Sequence, residues 1–106
     1  MTSMKDRQEG FERKFALDEE QRFRAVSRRN RLFGAWAAGK LGKDGADLDA
    51  YVKDVIKADF EEAGDEDVIR KVGNDFANAK VAVSEAEIRA AMEDAMATAV
   101  EQIANS

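Results

Sequence analysis

Residues 28–42 read Arg28-Arg29-Asn30-Arg31-Leu32-Phe33-Gly34-Ala35-Trp36-Ala37-Ala38-Gly39-Lys40-Leu41-Gly42 and place the only tryptophan of the chain directly after its densest positive charge. Aromatic rings supply large areas for burial, and the glycines and alanines between them leave room for another helix to approach. Arginine forks match carboxylate and phosphate groups. The stretch therefore predicts a closely packed helix with one strongly basic end.

Part of this stretch imitates a phosphate-binding loop. Residues 34–41 fit the pattern G-x-x-x-x-G-K-[ST] except at the last position, where the loop needs a hydroxyl to hold magnesium and Leu41 has none. The loop also needs a preceding strand, whereas residues 18–31 carry helical rather than alternating periodicity. We therefore interpret the stretch as a helix whose glycines admit a neighbouring helix.

The whole sequence predicts an all-α fold, a four-helix bundle with a mobile N-terminal segment. The chain has no proline, and its apolar residues recur at intervals of three to four positions. One helix is expected from about Asp18 to Leu41 with Gly42 as a left-handed cap, and a second from about Asp47 to Phe60. Gly64 should interrupt the helical pattern. The third helix should follow an N-cap at Asp65, and the fourth should follow a capping box formed by Ser84 and Glu87.

Each predicted helix has a stripe of residues that should face the core. These residues are Phe23, Val26, Leu32, Phe33, Trp36 and Leu41 on the first helix, Leu48, Tyr51, Val52, Val55 and Ile56 on the second, Val68, Ile69, Val72 and Phe76 on the third, and Ile88, Met92, Ala95, Met96, Ala99 and Ile103 on the fourth. Asn30 lies near the first stripe, where its side chain is expected to bond across the core and fix the helix register.

Composition excludes several classes of function. The chain has no Cys and no His, so common zinc sites, carboxylate di-iron sites with a Glu-x-x-His pair and triads with an imidazole base cannot form. Asp44, Asp47 and Asp49 lack the spacing of a calcium loop. We therefore expect no catalytic residue and no metal site. We also expect no membrane insertion, because no apolar stretch approaches the roughly 20 residues that span a bilayer.

Charge is distributed unevenly along the chain. Residues 1–31 hold nine Lys or Arg against six Asp or Glu, and the remaining residues hold eight against sixteen. An acidic body argues against nucleic-acid binding, which requires a basic docking face. We divide the chain into a flexible N-terminal arm, residues 1–17, and a four-helix bundle domain, residues 18–106. Phe11 and Phe15 would share a face if the arm became helical on a partner; alternatively, the arm is a frayed extension of the first helix.

The sequence resembles a known family at these same residues. The run from Arg28 through Trp36 to Gly42, and the run Asp59-Phe60-Glu61-Glu62-Ala63-Gly64-Asp65-Glu66-Asp67-Val68-Ile69-Arg70-Lys71, are similar to the zeta inhibitor subunit of the alphaproteobacterial F-type ATP synthase. Phe11, Lys14, Phe15 and Asp18 resemble its N-terminal segment. The resemblance covers nearly the whole chain. It implies a small helical, non-enzymatic protein whose N-terminal region enters the catalytic head of the enzyme and blocks ATP hydrolysis.

The resemblance also implies a partner and a location. The partner would be the catalytic head, with its alpha, beta and gamma subunits, and the protein would be cytoplasmic and peripherally associated with the membrane-bound ATP synthase. The expected partner-binding residues are Lys5, Arg7, Phe11, Arg13, Lys14 and Phe15. No cofactor is expected. The alternatives are a helical sensor module that binds ATP or ADP weakly, and an assembly factor that binds the enzyme without changing hydrolysis.

Two charged groups remain open to more than one interpretation. Arg28, Arg29 and Arg31 could be exposed helix charge, internal ion pairs with the acidic body, or a contact for a nucleotide or another anion, and internal pairing is favoured because guanidinium forks match carboxylates. The acidic group Glu61, Glu62, Asp65, Glu66 and Asp67 is expected to serve helix capping and solvation. A basic partner surface is its alternative role.

Overall fold

A computed structural model of the chain describes residues 17–61 and 65–105. These residues form four helices and no strand: α1 at Glu19–Lys40, α2 at Gly45–Glu61, α3 at Glu66–Asn78 and α4 at Glu85–Ala104. The interfaces of α1 with α4 and with α2 are the most extensive, and α3 packs on both α2 and α4. The predicted all-α four-helix bundle is confirmed, while its predicted mobile segment and Gly64 lie outside the described residues.

Both ends of α1 are fixed by local chemistry. The Asp18 side chain accepts a hydrogen bond from the backbone N–H of Gln21 at 2.7 Å, and the Gln21 side chain accepts one from the N–H of Asp18 at 3.1 Å. At the other end Gly42 has φ +75°, and the Lys43 N–H donates to the Ala38 carbonyl at 2.9 Å. This 6→1 bond with a left-handed glycine is a Schellman motif, which confirms Gly42 as the cap.

The starts of the other helices fit the prediction in part. α2 begins at Gly45, two residues before the predicted Asp47. Ser84 caps α4, because its hydroxyl accepts from the Glu87 N–H at 3.1 Å. Asp65 occupies the N-cap position of α3, but its side chain makes no capping hydrogen bond. That detail of the prediction is wrong because the carboxylate turns away from its own helix to bind an arginine of α1.

The main core lies where α1, α2, α3 and α4 meet. Its buried members include Phe33, Ala37, Tyr51, Val55, Val68, Ile69, Val72, Phe76, Ile88 and Met92. Trp36 packs on this cluster, with its ring stacked on Phe33 and edge-on to Phe76, each at 5.7 Å between centroids. The stripes predicted for α3 and α4 are confirmed, although Ile103 is only half-buried and the buried Val100 was not predicted.

Gly34 sets the approach of α1 to α2. A Cβ atom at this position would lie 3.3 Å from the Cα of Val52 and 3.4 Å from the Cβ of Val55. An added Cβ would require the backbone of α2 to shift by a few tenths of an ångström, so the predicted role of a glycine that admits a helix is confirmed for Gly34. The prediction is wrong for Gly39, where an added Cβ would meet nothing within 4 Å.

A second, smaller cluster joins the start of the described chain to the end of α4. Leu17, the last residue of the predicted arm, is 8% exposed and packs with Ala25, Met96 and Val100. Val26 is half-buried against the same cluster. The side chain of Leu17 therefore packs with the folded body.

Phe23 contradicts the predicted core stripe of α1. Its side chain is 62% exposed, and it is the exposed large hydrophobic residue of the described chain. Phe23 shares a helix face with Asn30 and Gly34, seven and eleven positions further on. Those two residues meet α2, but α2 ends at Glu61 after Asp59 has bonded to Asn30. The stripe therefore continues along α1 beyond the helix that covers it.

Candidate functional site

The arm and the first turns of α1 form the candidate site for a partner. The predicted partner-binding residues Lys5, Arg7, Phe11, Arg13, Lys14 and Phe15 all lie outside the described residues and stay predictions. The described chain begins at Leu17 and enters α1 through the Asp18 capping box. Leu17, which precedes α1, and Ala25 in its second turn pack against Met96 and Val100 of α4.

Arg29 forms the most buried polar cluster in the described part of the chain. Its side chain is 1% exposed, and its Nη1 donates to Asp65 Oδ1 at 2.8 Å while Nη2 lies 3.5 Å from Asp59 Oδ1. Its Nε and Nη2 both donate to Asn30 Oδ1, at 3.2 and 2.9 Å. The internal pairing that the sequence favoured is thereby confirmed for Arg29.

Asn30 completes the same cluster. Its Nδ2 donates to Asp59 Oδ2 at 3.0 Å, while its Oδ1 accepts the two bonds from Arg29. Arg29 and Asn30 of α1 thus hold the last turn of α2 and, through Asp65, the start of α3. The predicted bond from Asn30 across the core is confirmed, and it fixes the register of α1 against α2.

The other two arginines of the candidate anion site point away from Arg29. Arg28 is exposed and its Nε donates to the side-chain oxygen of Gln102 on α4 at 2.7 Å. Arg31 is exposed as well. Positions 28 and 31 are three apart and share one face of the helix, whereas position 29 lies on another side, so the structure does not bring all three guanidinium groups together. A nucleotide or anion contact here stays a prediction, and Arg28 and Arg31 are the members that a solute reaches.

The described acidic residues around the start of α3 all have arginine partners. Asp65 binds Arg29, as described above. Asp67 accepts from Arg70 at 3.1 Å on the same helix. Glu66 accepts two hydrogen bonds from Arg89 of α4, at 2.8 and 2.9 Å. These hydrogen bonds lower the pKa of Glu66 below its ordinary value and raise the pKa of Arg89. Asp65 and Glu66 therefore join α3 to α1 and α4, whereas the side chains of Glu61 and Glu62 lie outside the described part of the chain.

Tyr51 lies at a polar corner between α2 and α3. Its hydroxyl donates to Asp75 Oδ2 at 2.7 Å, and the Lys71 ammonium lies 3.0 Å from the same oxygen. Lys71 also lies 5.1 Å from the centroid of the Tyr51 ring. Burial is the largest cause that raises the pKa of Tyr51, followed by its hydrogen bond to Asp75. The hydroxyl is therefore a fixed hydrogen-bond donor that stabilises the α2–α3 corner.

A groove of about 430 Å³ runs between α1 and α4. Leu32, Trp36 and Ala95 contribute apolar surface to it. Lys40 lines it from α1, and Glu87 and Asp94 line it from α4. Within residues 17–61 and 65–105, no three carboxylates converge in the manner of a metal site. None of the four described helices combines the length and the apolar composition that crossing a bilayer requires.

Sequence reasoning missed Phe23 as a surface residue. One signal was present, because the predicted first helix is about ten residues longer than the predicted second. A shorter helix cannot cover the whole of a longer neighbour. Because the loop after Gly42 joins the two helices, the second helix covers the C-terminal end of the first and leaves the end beside the arm uncovered. Hydrophobic periodicity alone assigns a stripe to the core without asking whether a neighbour reaches its full length.

Comparison with known proteins adds a family to this geometry. No curated protein matches the chain. One family model, described as ATPase inhibitor subunit zeta, matches residues 1–102. The match includes the arm, all of α1, α2 and α3, and nearly all of α4, and so it covers almost the whole chain. A family of inhibitor subunits is regulatory rather than catalytic. The chain belongs to the ATPase inhibitor subunit zeta family.

Proposed function

We propose that this protein inhibits ATP hydrolysis by an F-type ATP synthase by inserting its N-terminal arm into the catalytic head. The observation that carries the proposal is the family match over residues 1–102, which includes the arm as well as the bundle. The match supports an ATPase inhibitor. The self-contained packing of the body, closed at Leu17, supports an arm that acts without unfolding the bundle.

In this proposal the two parts of the chain have different tasks. The arm enters a cleft among the alpha, beta and gamma subunits, where Phe11 and Phe15 are apolar anchors. Lys5, Arg7, Arg13 and Lys14 make polar contacts there. The bundle docks outside the cleft and raises the effective concentration of the arm. The protein performs no chemistry itself and acts in the cytoplasm, at the periphery of the membrane-bound enzyme.

The direct test is a titration of detached catalytic head from the same organism with the purified protein. Hydrolysis should fall to a low plateau, and a truncated chain of residues 17–106 should bind weakly and leave the rate unchanged. The truncation keeps Leu17, since this residue packs in the body, and circular dichroism should show an unchanged helix content. A truncated chain that inhibits as well as the full chain would refute the role of the arm.

A paired substitution tests the anchors within the full chain. Phe11→Ala with Phe15→Ala should raise the concentration needed for half-inhibition at least tenfold. Ser3→Ala with Gln8→Ala, a matched change of two polar arm residues, should leave it within about twofold. Equal potency of the two variants would remove the phenylalanines from the contact.

We further propose that inhibition needs no cofactor. Arg29 has its donors engaged by Asp59, Asp65 and Asn30, which leaves Arg28 and Arg31 for weak binding of ATP or ADP. Titration of either nucleotide while amide chemical shifts are followed tests this point. A saturable group of shifts around Arg28 and Arg31 would favour the sensor alternative.

A further inference from the structure

Phe23 is exposed on a part of α1 whose opposite side is packed against α4. Its ring is 62% exposed, whereas Ala25 two positions later is fully buried against the end of α4. α1 is therefore packed on one side here and open on the other. A single exposed apolar side chain is ordinary on a protein surface, so the assignment of a role depends on where the residue stands.

The position of Phe23 relates it to both the body and the arm. Phe23 lies seven positions before Asn30, about 10 Å along the helix axis from the residue of α1 that bonds to Asp59 near the end of α2. Toward the other end it is five residues from Asp18, where α1 begins and the arm stops. An exposed ring at this place lies within reach of whatever binds the arm.

Phe23 is also of the same residue type as Phe11 and Phe15, the expected apolar anchors of the arm. Large aromatic side chains supply most of the energy at many protein interfaces when they enter an apolar pocket.

Charge around Phe23 indicates the chemistry of its partner surface. Glu19 and Glu20 precede it by four and three positions, so both flank the ring on the helix surface, and both are exposed. Ser27, one turn later, is half-buried and uncharged. The ring is thus bordered on the arm side by two carboxylates. A complementary pocket has an apolar floor and, on the side nearest the arm, a basic rim.

We propose that Phe23 is a partner-binding anchor that enters an apolar, basic-rimmed pocket on the catalytic head, next to the cleft that receives the arm. The inference rests on the proposed function and extends it from the arm to the first two turns of α1. The observation behind the inference is that the fold leaves the aromatic side chain of Phe23 exposed.

The test compares Phe23→Ala with Phe23→Leu in the full chain, using hydrolysis and direct binding to the catalytic head. Phe23→Ala should raise the concentration for half-inhibition about tenfold, and Phe23→Leu should raise it less because an apolar side chain remains. Both variants should melt within a few degrees of the wild type, since the ring is not in the core. Lys57→Ala, a change at an exposed position of α2, serves as the control and should leave potency unchanged.

The outcomes separate this inference from the proposed function. If Phe23→Ala inhibits as well as the wild type while the Phe11 and Phe15 variant does not, the anchor is refuted and the arm stands. If the wild type does not inhibit, the binding assay decides: equal binding of the wild type and Phe23→Ala refutes the anchor on its own. A wild-type chain that self-associates through Phe23, with a monomeric and fully potent Phe23→Ala, would also overturn it.

A charge substitution tests the rim. Glu19→Gln with Glu20→Gln should weaken binding several-fold at low salt, and the difference should shrink at high salt because exposed charges are then screened. Circular dichroism should show that α1 remains helical in this variant. Tighter binding of the glutamine variant would exclude a basic rim and would overturn the partner chemistry assigned here.

Discussion

Removing the two carboxylates that bind Arg29 should destabilise the protein more than removing the guanidinium of Arg29 itself. The side chain of Arg29 is 1% exposed, whereas the side chains of Asp59 and Asp65 are 18% and 21% exposed. Leaving one partner of a buried ion pair alone costs about 3–5 kcal/mol. Asp59→Ala with Asp65→Ala leaves a buried cation with only Asn30 as acceptor, so we expect the free energy of unfolding to fall by about 4 kcal/mol.

The opposite change should cost less. Arg29→Met keeps the apolar stem and leaves two carboxylates that still reach water, so we expect a loss of about 2 kcal/mol. The triple variant, with Met at position 29 and Ala at 59 and 65, contains no charge in the cluster and should recover most of what the double alanine variant loses. Such recovery reflects the desolvation cost that all three charges carry in the native state.

Urea unfolding measures these differences. With a slope of about 1.5 kcal/mol per molar urea, the expected midpoint shifts are roughly 1.3 M for Arg29→Met and roughly 2.7 M for the double alanine variant. Far-ultraviolet circular dichroism and the fluorescence of Trp36 should give coincident transitions if unfolding is two-state. A larger loss for Arg29→Met than for the double alanine variant, or a triple variant that is the least stable of the set, would contradict a desolvation cost at Arg29.

Three further changes test other parts of the fold. Gly34→Val should cost at least about 2 kcal/mol, because its side chain would enter the α2 backbone; Gly39→Val, which meets open space, should cost nothing in the same urea series. Lys80→Gly should raise the free energy of unfolding by about 0.5 kcal/mol, since Lys80 has φ 59° and the relief of left-handed strain exceeds the entropy cost of glycine; an unchanged or lower melting temperature would contradict it. Glu66→Gln should cost less than about 1 kcal/mol at pH 7. The hydrogen bonds from Arg89 lower the folded-state pKa of Glu66 below its ordinary value, so this contribution is present above the unfolded pKa and disappears as pH falls through the folded value; a wild-type advantage that grows in acid would exclude the pair.

The fold could be predicted from the sequence where local chemistry determines it. Ser84 with Glu87, and Gly42 after a long helical run, are signals read within a few residues, and both helix ends lie where those signals place them. The stripe of α3 is short and fully covered by its neighbours, so the periodicity of Val68 to Phe76 identifies the buried residues correctly.

Long-range geometry could not be predicted in the same way. Asp65 has the residue type and position of a capping side chain, but a buried guanidinium 36 positions away binds it instead. Phe23 has the spacing of a core residue, but the length of α2 leaves it uncovered. In both cases the deciding contact, or the lack of one, depends on which elements meet in space.

The candidate site divides along the same line. Arg29 could be assigned to an internal pair from the acidic excess of the body, and the structure supplies the two carboxylates. The prediction of the partner-binding residues of the arm depends on the family resemblance and on the spacing of Phe11 and Phe15. The packing of a single chain does not show its contacts with another molecule.

The most direct test of the central claim is backbone hydrogen exchange of the full chain, alone and bound to the catalytic head. Residues 1–16 and the first turns of α1, through Ser27, should gain protection on binding. α2 and α3 should exchange as they do in the unbound protein. Protection confined to α2 or α3, with residues 1–27 unchanged, would contradict an inhibitor that binds through its arm and the adjoining end of α1.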